Sequence, residues 1–270
     1  MNFKSETLKR SFAGLIYIGC FLSAALINEY VLYCLFLVLG VICIYEINRL
    51  LDFDNISGYF IYVISLSLIT FYPVKPIILF FLVLLTILVK FILMSNLLFS
   101  KKSSFSEFRK LMVVTCYIVP SFLFIQLIPI SFTYYEPWLL IGFLLIMWVN
   151  DSFAFLVGKY LGRTKLFERI SPKKTVEGFI GGFIFALIIS YFIAHWSKNL
   201  NEFQWMLMAL IISISGSIGD LVQSRLKRLA EVKDSGKLIP GHGGIFDRMD
   251  STLFSSSFVF AYLFVINHVS

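Results

Sequence analysis

The sequence predicts an all-α integral membrane protein, a polytopic bundle of about nine transmembrane helices whose polar cytoplasmic loops form the functional site. Of its 270 residues, 59% are hydrophobic and 14% are charged, whereas a soluble domain is roughly 45–50% apolar and about 25% charged. A single water-soluble core could not bury this much apolar surface. The composition therefore argues against a soluble enzyme, a disordered chain and a nucleic-acid-binding module.

Apolar runs bounded by charged residues or proline give the helix count. A span of about 20 residues crosses a hydrocarbon core of about 30 Å at about 1.5 Å per residue. The boundary between the first two runs is the least defined, because only Asn28 and Glu29 separate them, and the third run is short. The predicted helices are 11–28, 30–47, 58–73, 76–99, 110–131, 137–158, 178–196, 203–223 and 252–268.

The basic residues predict the orientation. Of the 23 lysines and arginines, all but Lys75, Lys90 and Lys198 fall on the N-terminal side of such a bundle. The positive-inside rule then places the N-terminus and two long polar loops in the cytoplasm of a multi-pass protein in the cell (inner or plasma) membrane. The net charge of +7 fits an anionic leaflet or substrate in such a protein. Lys90 lies inside a span, where it needs a partner, a cavity or a shifted helix boundary; of the explanations, we expect simple snorkelling of its side chain to the interface.

The first polar loop follows the sixth predicted helix. Asp151 lies near the end of that span, where a carboxylate usually faces a cavity or a partner, although capping of the next helical segment is an alternative. Further along, Lys173, Lys174 and Thr175 offer two cations and a hydroxyl just before a helix that opens with glycines. Exposed amides and small residues there would allow an anion to approach. Phosphate binding is the hypothesis, and a contact with anionic lipid is the alternative.

The second polar loop contains more residues that can bind a metal or a phosphate. Asp220, Ser224 and Lys227 fall at i, i+4 and i+7 and therefore share one helix face. Carboxylates hold Mg²⁺, cations neutralise phosphate oxygens, and glycines let the backbone come close, which is what nucleotide-phosphate chemistry requires. The loop then adds Arg228, Lys233, Asp234, His242, Gly243, Gly244, Asp247, Arg248 and Asp250.

The carboxylates of this loop favour a metal site. Asp247 and Asp250 could each cap the last helix, but their spacing of three residues, with Asp220 available opposite, favours metal binding. His242 between glycines fits a loop hydrogen bond as well as catalysis. Cysteine is absent nearby and histidine is single, which disfavours Zn²⁺ and favours Mg²⁺ or Mn²⁺.

Residues 224–250, SRLKRLAEVKDSGKLIPGHGGIFDRMD, resemble the signature of the phosphatidate cytidylyltransferases, also called CDP-diglyceride synthases. The upstream segment 150–178, with its SPKKTVEG run, also resembles a motif region of that family. Phe155 stands where the family pattern has tyrosine. Before residue 150 the likeness is limited to membrane helices.

This resemblance implies a reaction and a division of the chain. The reaction is CTP plus phosphatidate giving CDP-diacylglycerol and pyrophosphate in phospholipid biosynthesis, with Mg²⁺, and with a second cation left open. It implies N-terminal transmembrane helices at 1–130 and a C-terminal catalytic transmembrane region at 131–270. Membrane lipid, CTP and phosphatidate are the expected partners, with a homodimer and without nucleic acid.

The resemblance also implies roles for residues. It places the metal at Asp220 and Asp247. The other expected catalytic residues are Lys227, Lys233, Asp234, His242, Arg248 and Asp250. We expect substrate binding by Asp151, Lys173, Lys174, Thr175, Ser224, Arg228, Gly243 and Gly244.

Three alternatives remain open from sequence. A related CTP-dependent membrane enzyme, such as a polyprenol kinase or an ether-lipid cytidylyltransferase, would need the same contacts, but a kinase would release CDP. A transporter could line an ion path with Asp151, Asp220 and Asp247, yet it should carry polar residues at the midplane of several spans and often a repeat. A catalytically inactive homologue is disfavoured by the intact set of carboxylates and cations.

Overall fold

The computed structural model describes residues 3–99, 106–131, 134–236 and 243–269, and this part of the chain is almost wholly helical. Helices α5 and α6 are joined by a π-helical turn, Val113–Ile118, and with the short helix Ile128–Ile130 they form one continuous rod. The described residues thus form nine helical rods, as predicted. The helices are α1 Phe3–Ile27, α2 Glu29–Leu51, α3 Ser57–Phe71, α4 Pro76–Phe99, α5 Glu107–Met112, α6 Val119–Leu127, α7 Pro137–Leu161, α8 Val176–Ser197, α9 Glu202–Leu229 and α10 Phe246–Val269.

The rods differ in their ability to span a membrane. Among the described residues, seven are long and apolar enough to cross a bilayer. The other two, α3 and the Gly14–Ile27 part of α1, are shorter apolar helices. Helix α3 ends at Phe71, shortly before Pro73, which restricts the backbone of the residue preceding it and offers no amide hydrogen. The all-α polytopic fold is confirmed, with seven full-length spans in place of nine.

Helices α7 and α8 pack unusually closely. A Cβ added at Gly182 of α8 would lie 2.6 Å from the backbone oxygen of Asn150 in α7, and one at Gly181 would lie 2.6 Å from Val157. Small residues at such contacts let helix backbones approach in a membrane protein. Helix α9 contacts both α8 and α10. The glycines therefore hold the C-terminal half of α7, which contains Asp151, against α8 and near α9.

The chain between α7 and α8 forms an antiparallel hairpin that the sequence analysis did not predict. Strand β1, Lys165–Phe167, pairs with β2, Ser171–Thr175, with Lys165 opposite Thr175. The polar helix ends also extend further than predicted: α9 continues to Leu229 and α10 begins at Phe246. Hydropathy located the apolar part of each helix but not the polar turns that continue it.

Lys90 of α4 corrects one prediction. Its side chain is fully buried, and its ammonium donates hydrogen bonds to the backbone oxygens of Leu253 and Phe254 at 2.8 and 2.9 Å and to Oγ of Ser257 at 2.9 Å. The predicted snorkelling is therefore wrong. Three oxygens of α10 replace water around the three ammonium donors, which offsets part of the cost of burial.

Candidate functional site

A cavity of about 600 Å³ lies where the end of α7, the hairpin, the start of α8, α9 and the start of α10 meet. Both signs of charge face it. The carboxylates that line it are Asp151, Asp220, Asp247 and Asp250, and the cations are Lys159, Lys165, Lys173, Lys174 and Arg248. No cysteine or histidine is among the described lining residues, so the donors offered to a ligand are hard oxygens and cationic nitrogens.

Asp220 of α9 is held by two partners. Lys174 of the hairpin forms an ion pair with it, and Ser224, one turn further along α9, donates a hydrogen bond to its Oδ1 at 3.2 Å. The shared helix face predicted for Asp220 and Ser224 is therefore present. The Lys174 and Asp220 side chains are 25% and 34% exposed, so an incoming ligand can reach both members of the pair.

Asp247, in the first turn of α10, is held more tightly. Lys227 donates to its Oδ1 at 2.8 Å, and its side chain is only 4% exposed. Its Oδ2 accepts hydrogen bonds from the amide of Ser235 at 2.8 Å, the hydroxyl of Ser235 at 3.0 Å and the amide of Gly244 at 2.9 Å. Asp247 therefore fixes the polar loop to α10 through Oδ2, while Oδ1 lies between Lys227 and the cavity.

Two further carboxylates add negative charge. Asp151 accepts a hydrogen bond from the side-chain amide of Asn150 at 3.2 Å, and Asp250 accepts one from the amide of Ser251 at 2.8 Å. Asp250 interacts electrostatically with both Asp220 and Asp151. Like charges that share a partly dehydrated cavity repel one another, so the arrangement favours binding of a cation.

The donor set suits Mg²⁺ completed by a substrate. Within the described ranges, no group of three or more His, Cys, Asp or Glu side chains is arranged to hold a metal ion by itself. Mg²⁺ is usually bound through one or two carboxylates, with substrate phosphates and water as its other ligands. Asp220 and Asp247 both line the cavity, and their predicted role as metal ligands stays a prediction.

Eight of the predicted site residues line this cavity: Asp151, Lys173, Lys174, Thr175, Asp220, Asp247, Arg248 and Asp250. Thr175 has a structural task as well, since its hydroxyl accepts a hydrogen bond from the amide of Gly178 at 3.1 Å and caps α8. Capping hydroxyls at this position stabilise a helix start. A role for Thr175 in substrate binding stays a prediction.

Four further predicted residues contact or pack near the carboxylates of the cavity. Ser224 and Lys227 stand behind Asp220 and Asp247. Gly243 has a φ of +86°, which side chains rarely adopt, and a Cβ there would lie 2.5 Å from Oδ2 of Asp247. The amide of Gly244 donates a hydrogen bond to the same oxygen of Asp247.

Three of the predicted catalytic and substrate-binding residues, Arg228, Lys233 and Asp234, are exposed and are not among the residues that line the cavity. His242 lies outside the described residues. The roles predicted for all four stay predictions.

Glu46 of α2 is a site-related residue that sequence reasoning missed. It is buried at 4% exposure, and its carboxylate accepts hydrogen bonds from the amides of Ile245 and Phe246 and from the hydroxyl of Ser235. The signal was present, because an ionisable residue inside a predicted span is a functional candidate by default. The same argument had singled out Asp151. Lys165 of β1 also lines the cavity without having been predicted.

Fold and site together define a polytopic helical membrane protein with a charged cavity at the polar ends of its C-terminal helices. The chain matches the cytidylyltransferase family over residues 8–266. It therefore belongs to that family.

Relatives in bacteria carry a more specific name. The phosphatidate cytidylyltransferase of Staphylococcus haemolyticus (strain JCSC1435) is 48% identical over 111 residues, which are 41% of this chain and 43% of that relative. The protein of the same name from Bacillus subtilis (strain 168) is 47% identical over 116 residues, 43% of each chain. That of Staphylococcus saprophyticus is 46% identical over 112 residues, 41% of this chain and 43% of the relative. These alignments span less than half the length of the relatives they match.

Proposed function

We propose that the protein transfers a cytidylyl group from CTP to phosphatidate, giving CDP-diacylglycerol and pyrophosphate. The observation that carries the proposal is the cavity in which Lys174 pairs with Asp220 beside Asp247, because cations for phosphates and carboxylates for a metal face the same space. Membership of the cytidylyltransferase family and the name of the relatives support it.

The reaction needs little acid–base help from the protein. A phosphate oxygen of phosphatidate forms a bond to the α-phosphorus of CTP, and the bond from that phosphorus to the bridging oxygen of the β-phosphate breaks. A phosphomonoester has a second pKa of about 6, so the nucleophile is already ionised near neutral pH. Catalysis then depends on positioning and charge neutralisation, and a covalent serine or cysteine intermediate is not required.

In the proposed reaction, the cations of the cavity bind the substrate phosphates. Lys174 leaves Asp220 when a phosphate enters, and the ammonium then contacts that phosphate. Lys165, Lys173 and Arg248 line the same space and attract the two polyanionic substrates. Opposite charges attract, so these cations favour the entry of a phosphate. Asp220, once released by Lys174, would then be available to the metal ion.

The carboxylates supply the metal-binding part of the proposal. Asp220 and Asp247 would hold Mg²⁺, which when bound supplies charge neutralisation on the phosphates. Lys227 keeps Asp247 oriented toward the cavity, and Ser224 orients Asp220. Asp250, which lines the same cavity as Asp151 and Asp220, would take part in holding a second cation.

The membrane determines how the lipid approaches. Phe155, Leu166 and Phe179 form an apolar part of the cavity wall, and Phe155 is largely exposed. The acyl chains of phosphatidate remain in the bilayer while the headgroup meets CTP at the span ends. A cytoplasmic site and N-terminus, and a homodimer, belong to this proposal.

The test uses the purified protein in mixed detergent–phosphatidate micelles with CTP labelled in its α-phosphate. We expect label in the lipid phase with an equal amount of pyrophosphate, and loss of both products when Mg²⁺ is chelated. Asp220→Asn is the inactive control. Lipid label from γ-labelled CTP with polyprenol, and none from α-labelled CTP with phosphatidate, would replace the proposal with the polyprenol kinase. Absence of every product would contradict both the phosphatidate cytidylyltransferase and the polyprenol kinase.

A further inference from the structure

Glu46 is a buried carboxylate near the C-terminal end of α2, far from the site in sequence. Its Oε1 accepts a hydrogen bond from the amide of Ile245 at 3.0 Å, and its Oε2 accepts one from the amide of Phe246 at 2.8 Å. The hydroxyl of Ser235 lies 3.0 Å from the same Oε2. An acid of α2 therefore binds both ends of the polar loop that carries the family signature.

The two amides mark the start of α10. The first amides of a helix have no partner within the helix, and they carry partial positive charge that a carboxylate stabilises. In most helices a neighbouring residue in the chain provides that acceptor. Here Glu46 provides it from another helix, so the first turn of α10, which carries Asp247, is positioned relative to α2.

Ser235 joins this contact to the site. Its hydroxyl lies 3.0 Å from Oε2 of Glu46 and 3.0 Å from Oδ2 of Asp247, so its single proton can serve either carboxylate. The loop backbone fits closely around Glu46. A Cβ at Gly236 would lie 2.5 Å from Oε1, and one at Gly244 would overlap both carboxylate oxygens. A hydrogen-bonded path thus runs from α2 through Ser235 to Asp247.

We propose that Glu46 is a positioning residue for the reaction: it holds the start of α10 and Ser235 so that Asp247 presents Oδ1, the oxygen that Lys227 binds, to the substrate. This inference rests on the proposed cytidylyltransferase function. It assigns to the N-terminal helices a direct part in forming the site. Glu46 itself touches neither substrate, because its carboxylate is enclosed by the loop.

The test compares Glu46→Gln, Glu46→Asp and Glu46→Ala in the full-length protein in phosphatidate micelles. Misplacement of a catalytic group by about 1 Å can cost about a hundredfold in rate, so we expect Glu46→Gln to lower kcat by at least about tenfold and to change the KM for phosphatidate by less than about threefold. Glu46→Asp keeps the charge and should recover part of kcat. Glu202→Gln, a half-exposed carboxylate at the far end of α9, is the matched control and should behave as wild type.

Hydrogen exchange gives a readout that does not depend on activity. Loss of a hydrogen bond to a charged acceptor costs enough to raise local exchange about tenfold or more, so amides of Ile245 and Phe246 should exchange faster in Glu46→Gln while those of α7 and α8 stay unchanged. Wild-type kcat with unchanged exchange would overturn the proposal. Faster exchange in every helix would overturn it too, because Glu46 would then stabilise the whole fold. If the wild type makes no CDP-diacylglycerol, the proposed function fails. The exchange result then still shows whether Glu46 holds the amides of Ile245 and Phe246 in place.

Discussion

Lys227 of α9 and Asp247 of α10 form an ion pair at 2.8 Å in which the lysine side chain is 15% exposed and the carboxylate 4%. Lys227 shares a helix face with Asp220, yet it binds the carboxylate of the next helix. The pair links α9 to α10 at the edge of the cavity. Both helices must therefore hold their positions for the site to form.

Asp247→Asn should abolish turnover while the protein remains folded. The asparagine keeps one acceptor oxygen for the loop amides but replaces the other oxygen with an NH2 donor. It also loses the charge that Lys227 and a metal require, and loss of one such electrostatic contact costs about 10²–10³ in kcat. The measurement is α-label transfer at saturating Mg²⁺, with size-exclusion chromatography as the folding check. Asp54→Asn, on the exposed α2–α3 connection, is the matched control. Near-normal kcat for Asp247→Asn would contradict the role of Asp247 as a metal ligand.

Lys174→Ala should impair phosphate binding with little effect on stability. The ion pair with Asp220 is partly exposed, and such pairs contribute about 0–1 kcal/mol. We expect the KM for CTP or phosphatidate to rise by about tenfold, as befits loss of a charge-assisted contact, and the unfolding temperature in detergent to change little. Unchanged kinetics for both substrates would contradict phosphate binding by Lys174 and favour a contact with anionic lipid.

Lys90→Met should leave stability unchanged or raise it. The substitution keeps the volume and removes a buried charge whose desolvation is costly. Lys90→Ala, by contrast, should lower the free energy of unfolding by about 2–4 kcal/mol, because it leaves a cavity. Thermal unfolding of both variants in the same detergent provides the comparison. If Lys90→Met loses as much as Lys90→Ala, the hydrogen bonds to Leu253 and Phe254 outweigh the cost of burial.

Gly182→Ala should weaken the packing of α7 against α8. The added Cβ would meet the backbone oxygen of Asn150 at 2.6 Å, and overpacking of this kind costs about 1–3 kcal/mol. Activity should fall with stability, because Asp151 follows Asn150 directly. Gly19→Ala is the matched control, since nothing lies within 4 Å of a Cβ at Gly19. Equal stability of the two variants would show that α7 and α8 can separate without cost.

The sequence predicted the helices well and the polar ends of helices less well. Apolar runs locate spans because the free energy of moving a segment from water to lipid depends on that segment's own residues. The polar first turn of α10 was not predicted, because its amide acceptor comes from α2. The hairpin was not predicted, because its strands are only three and five residues long and carry no alternating apolar pattern. Asp220 with Ser224 was predictable from helical spacing, whereas the ion pair of Lys174 with Asp220 joins residues 46 positions apart.

By itself, the sequence determined that this is a multi-pass helical protein and which segments carry its carboxylates and cations. Composition and spacing are enough for that, since hydrophobicity decides which residues leave water. Only the tertiary structure decided the partners: Lys227 for Asp247, the oxygens of α10 for Lys90, and the first amides of α10 for Glu46. A buried polar group must find its partner wherever packing places one, and that place is not encoded in its local sequence.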